Sequence, residues 1–275
     1  MPERRGRGPE ATTENATDKG AKRMALYNAI GGNYAEFRRP DPRIGAALDA
    51  ALGDAESLVN IGAGSGSYEP ANRAVVAVEP SEVMIRQRPA DAARCIRASA
   101  ESLPLESGSV DAAMTINSTH HWSDLERGLR EMARVARKHA VILTWVPDVA
   151  EFWLTEEYFP EILAYDRTVF PSRARLVELL ERTIGPVDMS PLPIPHDCTD
   201  GLLCSYWRRP ELYLDPERRA AMSSFARIDA AEGIGKLRVD IASGRWRERN
   251  RRLLDQESMD LGYRVIRCEI QRSAP

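Results

Sequence analysis

The sequence predicts an α/β fold: a doubly wound sheet of seven strands with helices on both faces. Three observations predict it. Short apolar runs alternate with helical patterns between residues 57 and 145. A glycine-rich turn follows the first of those runs. Near the end, Tyr263-Arg264-Val265-Ile266-Arg267-Cys268-Glu269-Ile270 alternates as a half-exposed strand does. Apolar strands separated by helices imply a parallel sheet covered on both sides.

Each element has its own signal. Residues 22–30 and 43–52 show helical periodicity, broken at Arg39-Pro40-Asp41-Pro42. Residues 57–61 form a short buried-strand pattern that runs into Gly62, and 74–78 form a second that ends at Glu79. Ser81 suits the N-cap of a short helix over 82–88. Residues 95–98 are a third strand candidate and 110–116 a fourth. Asp124 opens a helix through Arg137, with Leu125, Leu129, Met132 and Val135 on one stripe. Residues 140–145 are a fifth strand. Residues 148–171 are aromatic-rich, 172–183 resume an amphipathic helix, and 187–194 read as a strand. Residues 199–258 read as mostly helical and arginine-rich. The expected organisation is a tail at 1–20 and a core at 21–147. A cap insertion at 148–171 follows, then core again at 172–198. A helical cap at 199–258 precedes a last core strand within 259–275.

The 275 residues carry 38 basic and 41 acidic side chains, a formal charge of −3. Clustered excess Lys and Arg, which phosphate binding requires, is not the pattern, so a dedicated nucleic-acid binder is disfavoured. Only Lys19, Lys22, Lys138 and Lys236 are lysines, so 34 of the 38 basic residues are arginine. No apolar run approaches the roughly 20 residues of a membrane span. The opening residues lack the apolar stretch of a signal peptide and are expected to be disordered. Cys95, Cys198, Cys204 and Cys268 are scattered without metal-site or disulfide-framework spacing, as for reduced thiols in the cytoplasm.

The turn Gly62-Ala63-Gly64-Ser65-Gly66 lets the backbone bend sharply and lets a ligand approach without a Cβ clash. Glu79 lies 17 residues after Gly62, where a carboxylate can accept both hydroxyls of a ribose. A dinucleotide loop would place a third glycine at position 67, which is Ser67, and the Gly-Lys-Ser/Thr of a phosphate loop is absent. The turn therefore suits a nucleoside without a pyrophosphate.

With Val78-Glu79-Pro80-Ser81, Ala100-Glu101-Ser102-Leu103-Pro104-Leu105 and Ser109-Val110-Asp111-Ala112-Ala113, this loop resembles the class I S-adenosylmethionine-dependent methyltransferases of the type 11 group. The resemblance covers about 22–147, with 172–194 and 263–270 following in order. It implies a Rossmann-like, mostly parallel seven-stranded sheet with helical cap insertions, and S-adenosyl-L-methionine as cofactor. It implies that Gly62, Ala63, Gly64 and Gly66 cradle that cofactor and that Glu79 holds its ribose. Pro80 and Met84 would flank the adenine, and Ala100 and Glu101 would present backbone and carboxylate at the adenine amino edge. Asn117 would face the methionyl part. Tyr27, Tyr34 and Arg38 would belong to a segment that closes over the cofactor, with a Tyr or Arg on its carboxylate. The alternative for that segment is ordinary helix packing. One departure is Asn60, where many relatives carry an acid.

Asn117-Ser118-Thr119-His120-His121-Trp122 follows the fourth strand, and ligands of open α/β sheets bind beyond the carboxyl ends of strands. His120 and His121 are suited to act as a general base at neutral pH. The alternative is that one of them packs or caps the next helix. Two histidines without a third ligand make a poor metal site, so no metal is expected. An aromatic face at Tyr27 or Trp122 would favour a cation. Trp122, Trp153, Tyr158, Tyr165 and Trp207 are the candidate acceptor-lining residues, since aromatic side chains with a few polar groups suit a small organic molecule. The expected acceptor is an indole-like natural-product scaffold, and the protein a monomer or homodimer. An RNA acceptor is the rival reading, prompted by the basic run Arg245–Arg252. A cofactor-binding protein without catalysis is the third. His196-Asp197-Cys198 lacks the surroundings of a nucleophilic thiol.

Overall fold

The structure is a computed structural model that describes residues 34–149 and 151–271. The helix expected over 22–30 and the tail at 1–20 lie outside the described residues.

Among the described residues, seven strands form one sheet: β1 (Ser57–Ile61), β2 (Ala74–Val78), β3 (Cys95–Ile96), β4 (Val110–Ile116), β5 (Ala136–Trp145), β6 (Val187–Pro191) and β9 (Tyr263–Glu269). Their order across the sheet is β3-β2-β1-β4-β5-β9-β6. β1 to β5 run parallel, and β9 is antiparallel to both β5 and β6. This is the Rossmann-like, mostly parallel sheet implied by the sequence. β7 (Ile194–Pro195) and β8 (Ser258–Met259) pair separately in a small ribbon.

Alternation along the strands divides the interior into two layers. Leu58, Ala112, Met114, Val141 and Leu143 point to one face, covered by α1 (Pro42–Leu52) through Ile44, Leu48 and Leu52. Val59, Ile61, Ala113, Ala140 and Ile142 point to the other. There α3 (Leu125–Val135) and α5 (Arg173–Thr183) bury Leu129, Met132, Val135, Leu176 and Leu180. The short α2 (Glu82–Arg86) starts at Ser81, whose hydroxyl accepts from Met84 N.

Several boundaries differ from expectation, among them the end of α2 at Arg86 rather than 88. β5 starts at Ala136 rather than 140, because Ala136 pairs with Val110 and Arg137 reaches Asp111 at 2.9 Å. Sheet pairing thus ends the preceding helix at Val135. β3 keeps only two residues. The run 187–194 is divided, since Pro191 closes β6 and Ile194 pairs with Met259 instead.

The cap gathers α4 (Pro160–Val169), α6 (Pro216–Ala220), α7 (Ala231–Ala242) and α8 (Arg245–Arg249) with several single turns. Its interior continues the first layer through Phe152, Trp153, Tyr158, Phe159, Trp207, Tyr213 and Trp246.

Candidate active site

Strand register positions the site. Ile61 pairs with Val78, so the turn after β1 and Glu79 after β2 leave the sheet side by side. Asn60 pairs with Met114, which places Asn117 beside the same turn. The strand order reverses between β1 and β4, and a ligand crevice opens at such a reversal.

Gly62, Gly64 and Gly66 all have positive φ. At Gly62 (φ +67°) a Cβ would stand 1.8 Å from Ser118 Oγ, so glycine is demanded twice, by conformation and by space. Gly64 N donates to Glu79 Oε2 at 2.9 Å, and Ser81 N donates to Glu79 Oε1 at 2.8 Å. Burial raises the Glu79 carboxyl above its ordinary value, and these two amides partly offset it. Met84 is buried, with its Cε 3.4 Å from where a Cβ of Gly64 would be. Ala63 and Ala100 are buried, and Pro80 is partly covered.

Two side chains beneath the turn carried no sequence signal. Asn60 Nδ2 donates to Glu69 Oε1 at 3.1 Å, and Glu69 pairs with Arg88 at 2.7 Å with both side chains buried. The acid missing at position 60 thus stands one contact further back and is neutralised there.

These residues fit S-adenosylmethionine. The glycine cradle excludes side chains, and a buried carboxylate stands at its edge. Among the described residues, Asn60 Oδ1 and Asn117 Nδ2 are buried without a hydrogen-bond partner. They provide one acceptor and one donor at the strand ends. Buried polar atoms ordinarily have partners, so such a pair can serve a polar ligand group. Asn117 also has φ +48°, a left-handed conformation that Asn tolerates better than most residues.

Glu101, expected at the adenine edge, also reaches the start of the next helix. Its Oε1 accepts from Ser123 N at 2.6 Å, Ser123 Oγ at 2.8 Å and Asp124 N at 3.2 Å. Burial raises its carboxyl, but these donors outweigh that and hold it below its ordinary value. The carboxylate ties the 100–101 loop to the start of α3. Arg38 borders the crevice with its Nε 2.5 Å from Asp200 Oδ1. Tyr27 and the side chain of Tyr34 lie outside the described residues.

Thr119–His121 make a single 3₁₀ turn. It sets the His120 ring, tilted, against His121 (ring centroids 3.7 Å) and Phe170 (4.4 Å). Asp124, not a histidine, caps α3 by accepting from Arg127 N at 3.0 Å. Two adjoining clefts meet at His120, Phe170, Ser223 and Ser224. The larger, with about 60 Å³ of free volume, also touches Arg38, Asn117, Trp145 and Tyr263. The smaller, about 20 Å³, also touches His121, Tyr165, Asp166 and Arg227.

Of the five aromatic residues expected to line an acceptor pocket, Tyr165 borders these clefts. The other four have different surroundings. Trp122 donates to Ser118 Oγ at 3.1 Å and packs against Gly128. Trp153 donates to Trp207 O at 2.8 Å, and Trp207 to Ile194 O at 3.0 Å. Tyr158 donates to Asp240 Oδ2 at 2.9 Å. Buried indoles and phenols seek such partners, and those of Trp153, Tyr158 and Trp207 knit the cap interior together. Phe170, Trp145, Tyr263 and Asp166 take the cleft-lining positions. Asp166 had a readable signal, because it lies four residues after Ile162 on the buried face of α4.

The basic run is partly neutralised: Arg245 reaches Asp240 at 2.7 Å, and Arg249 pairs with the same carboxylate. Burial pushes the Cys198 thiol up to about 11, which leaves little thiolate for nucleophilic attack.

Residues 59–144, from β1 to β5, match the methyltransferase-domain family of type 11. A solved structure from Anabaena variabilis, assigned as a methyltransferase from an antibiotic biosynthesis pathway, is 34% identical. That likeness covers 85% of this chain and 99% of the other, with a TM-score of 0.79. A phosphoethanolamine N-methyltransferase of Haemonchus contortus, solved with S-adenosylhomocysteine, shares the fold. It has a TM-score of 0.53 at 15% identity, over 95% of this chain and 58% of that one. A tRNA (carboxymethyluridine(34)-5-O)-methyltransferase of Xenopus tropicalis is 30% identical over 131 residues. The alignment covers 44% of this chain, which spans about a fifth of that relative's length.

Proposed function

Because the chain belongs to the S-adenosylmethionine-dependent methyltransferases of class I fold, we propose that it methylates a small-molecule acceptor, an aromatic or heterocyclic natural-product scaffold of indole type, at carbon or nitrogen. S-adenosylmethionine is the cofactor, and its sulfonium supplies an electrophilic methyl group. The observation that carries the acceptor reading is the pair of clefts meeting at His120. Phe170, Trp145, Leu202 and Met222 form their apolar walls, and Arg38, Asn117, His120, Asp166 and Ser224 bring polar groups to the same space. A recess with aromatic and aliphatic walls and convergent polar side chains suits a small organic ring that carries polar groups. The antibiotic-pathway assignment of the Anabaena protein supports a natural-product acceptor.

In this reading the glycine turn and Glu79 hold the nucleoside, with Pro80 and Met84 against the base. Asn60 and Asn117 take up the amino-acid end, where Arg38 also stands. Phe170 and the cap exclude water and hold the acceptor. Alignment in a closed cleft can account for much of the rate. His120 or His121 takes the proton that an acceptor N–H or ring C–H must lose. His120→Ala or His121→Ala is expected to lower turnover about 10²-fold or more. Cofactor affinity measured by calorimetry should stay unchanged. Wild-type turnover in both variants would remove the base from the mechanism.

The tRNA-methyltransferase relatives favour one rival, an RNA acceptor. It predicts steeply salt-dependent binding of an oligoribonucleotide. Pairing of Arg245 and Arg249 with Asp240 weighs against it. Among the described residues no helix is long and apolar enough to cross a membrane. A cytoplasmic monomer or homodimer completes the proposal.

A further inference from the structure

We infer that Asp166, buried in the wall of the smaller cleft and held there by Ser224, recognises a basic nitrogen on the acceptor, so that the substrate is an aminoalkyl-bearing ring. This rests on the small-molecule reading given above. Asp166 is 2% exposed. Among the described residues its carboxylate accepts one hydrogen bond, from Ser224 Oγ at 3.1 Å. A carboxylate has about four acceptor sites, so most of its capacity is unspent. No Lys or Arg of the described residues pairs with it. Arg227, which borders the same cleft, lies over the Tyr165 ring, 5.7 Å from its centroid.

A buried carboxyl without a cation is costly as an anion. Burial raises Asp166 to about 7, and only the Ser224 hydroxyl opposes it. An arriving ammonium would provide the missing counter-charge. Size agrees with this: about 20 Å³ of free volume holds one water-sized group, which describes a protonated amine. The neighbouring larger cleft, shared through His120, Phe170, Ser223 and Ser224, is left for the ring. The other titratable groups facing this recess are His120, His121 and Tyr165.

Calorimetry with three matched probes tests this: tryptamine, 3-ethylindole and indole-3-propionic acid. The wild-type chain, with S-adenosylhomocysteine present, is expected to prefer tryptamine over 3-ethylindole by about 10-fold or more, as for a charge-assisted hydrogen bond. Asp166→Asn should erase that preference and keep the affinity for 3-ethylindole. Ser224→Ala should weaken the preference without abolishing it. Unchanged S-adenosylmethionine affinity in both variants verifies that they fold. A wild-type chain that binds the neutral or acidic indole as tightly as the amine overturns the inference and leaves the small-molecule reading standing. So does an Asp166→Asn chain that keeps the preference. A chain that binds S-adenosylmethionine but none of the three probes overturns both.

Discussion

Gly62 shows how a single residue type can be required by two independent constraints. Its φ is +67°, and Ser118 Oγ occupies the space a Cβ would need. Gly62→Ala is therefore expected to reduce S-adenosylmethionine affinity by 10-fold or more in calorimetry, with a lower melting temperature. Ser118→Gly in the same chain relieves the contact but not the strained backbone, so it should restore only part of the loss. Asp166 offers a different reading, from pH. Its carboxyl is raised to about 7 from an ordinary 3.8. Between those values the folded chain holds a proton that the unfolded chain has released, so stability falls as pH rises through the window. Asp166→Asn should flatten that slope. It should leave the variant more stable than the parent at pH 8, by up to about 4 kcal/mol. Melting temperatures measured from pH 4 to pH 8 check the sign. The conformational demand at Gly62 was legible in the sequence, since glycines, strand and Glu79 stood in order, but the Ser118 contact was not. The partners of Asp166 were not. Ser224 lies 58 residues away, and no local pattern announces it.

Among the elements, strands were easier to read than cap segments, for a physical reason. A central parallel strand is apolar on both faces whatever its neighbours are, and β1, β2 and β4 keep the ends their apolar runs suggested. β5 grew by four residues because pairing with Val110 is a non-local fact. In the cap, aromatic richness did not tell which rings face a cavity. Trp153 finds its acceptor on Trp207, 54 residues on, and that contact turns both inward. Packing and recognition should therefore separate under mutation. Trp207→Ala removes a fully buried indole and is expected to cost about 3–5 kcal/mol of stability, read by denaturant melting. Phe170→Ala, at the cleft, should raise KM for the acceptor with a much smaller effect on stability.

For the whole molecule, two layers flank one sheet and the cap extends the first of them across the strand ends. Asp200 lies at the seam. It accepts from Arg38 and, at 2.9 Å, from the Tyr68 hydroxyl, which itself accepts from Asp41 N at 3.0 Å. Gly201 N donates to Phe37 O, and Thr199 N to Asp41 Oδ2. Separations of 132 and 162 residues divide Asp200 from Tyr68 and Arg38. Loop-closure entropy makes such contacts costly to form before the intervening chain is ordered. The seam is thus expected to be a late event in folding and an early one in local opening. Asp200→Asn should speed amide hydrogen exchange at 36–38 and 199–203 while β1, β4 and β5 stay protected. Equal acceleration across the sheet would mean that core and cap open as one cooperative unit. One carboxylate would then set how often the chain lets its interior meet water.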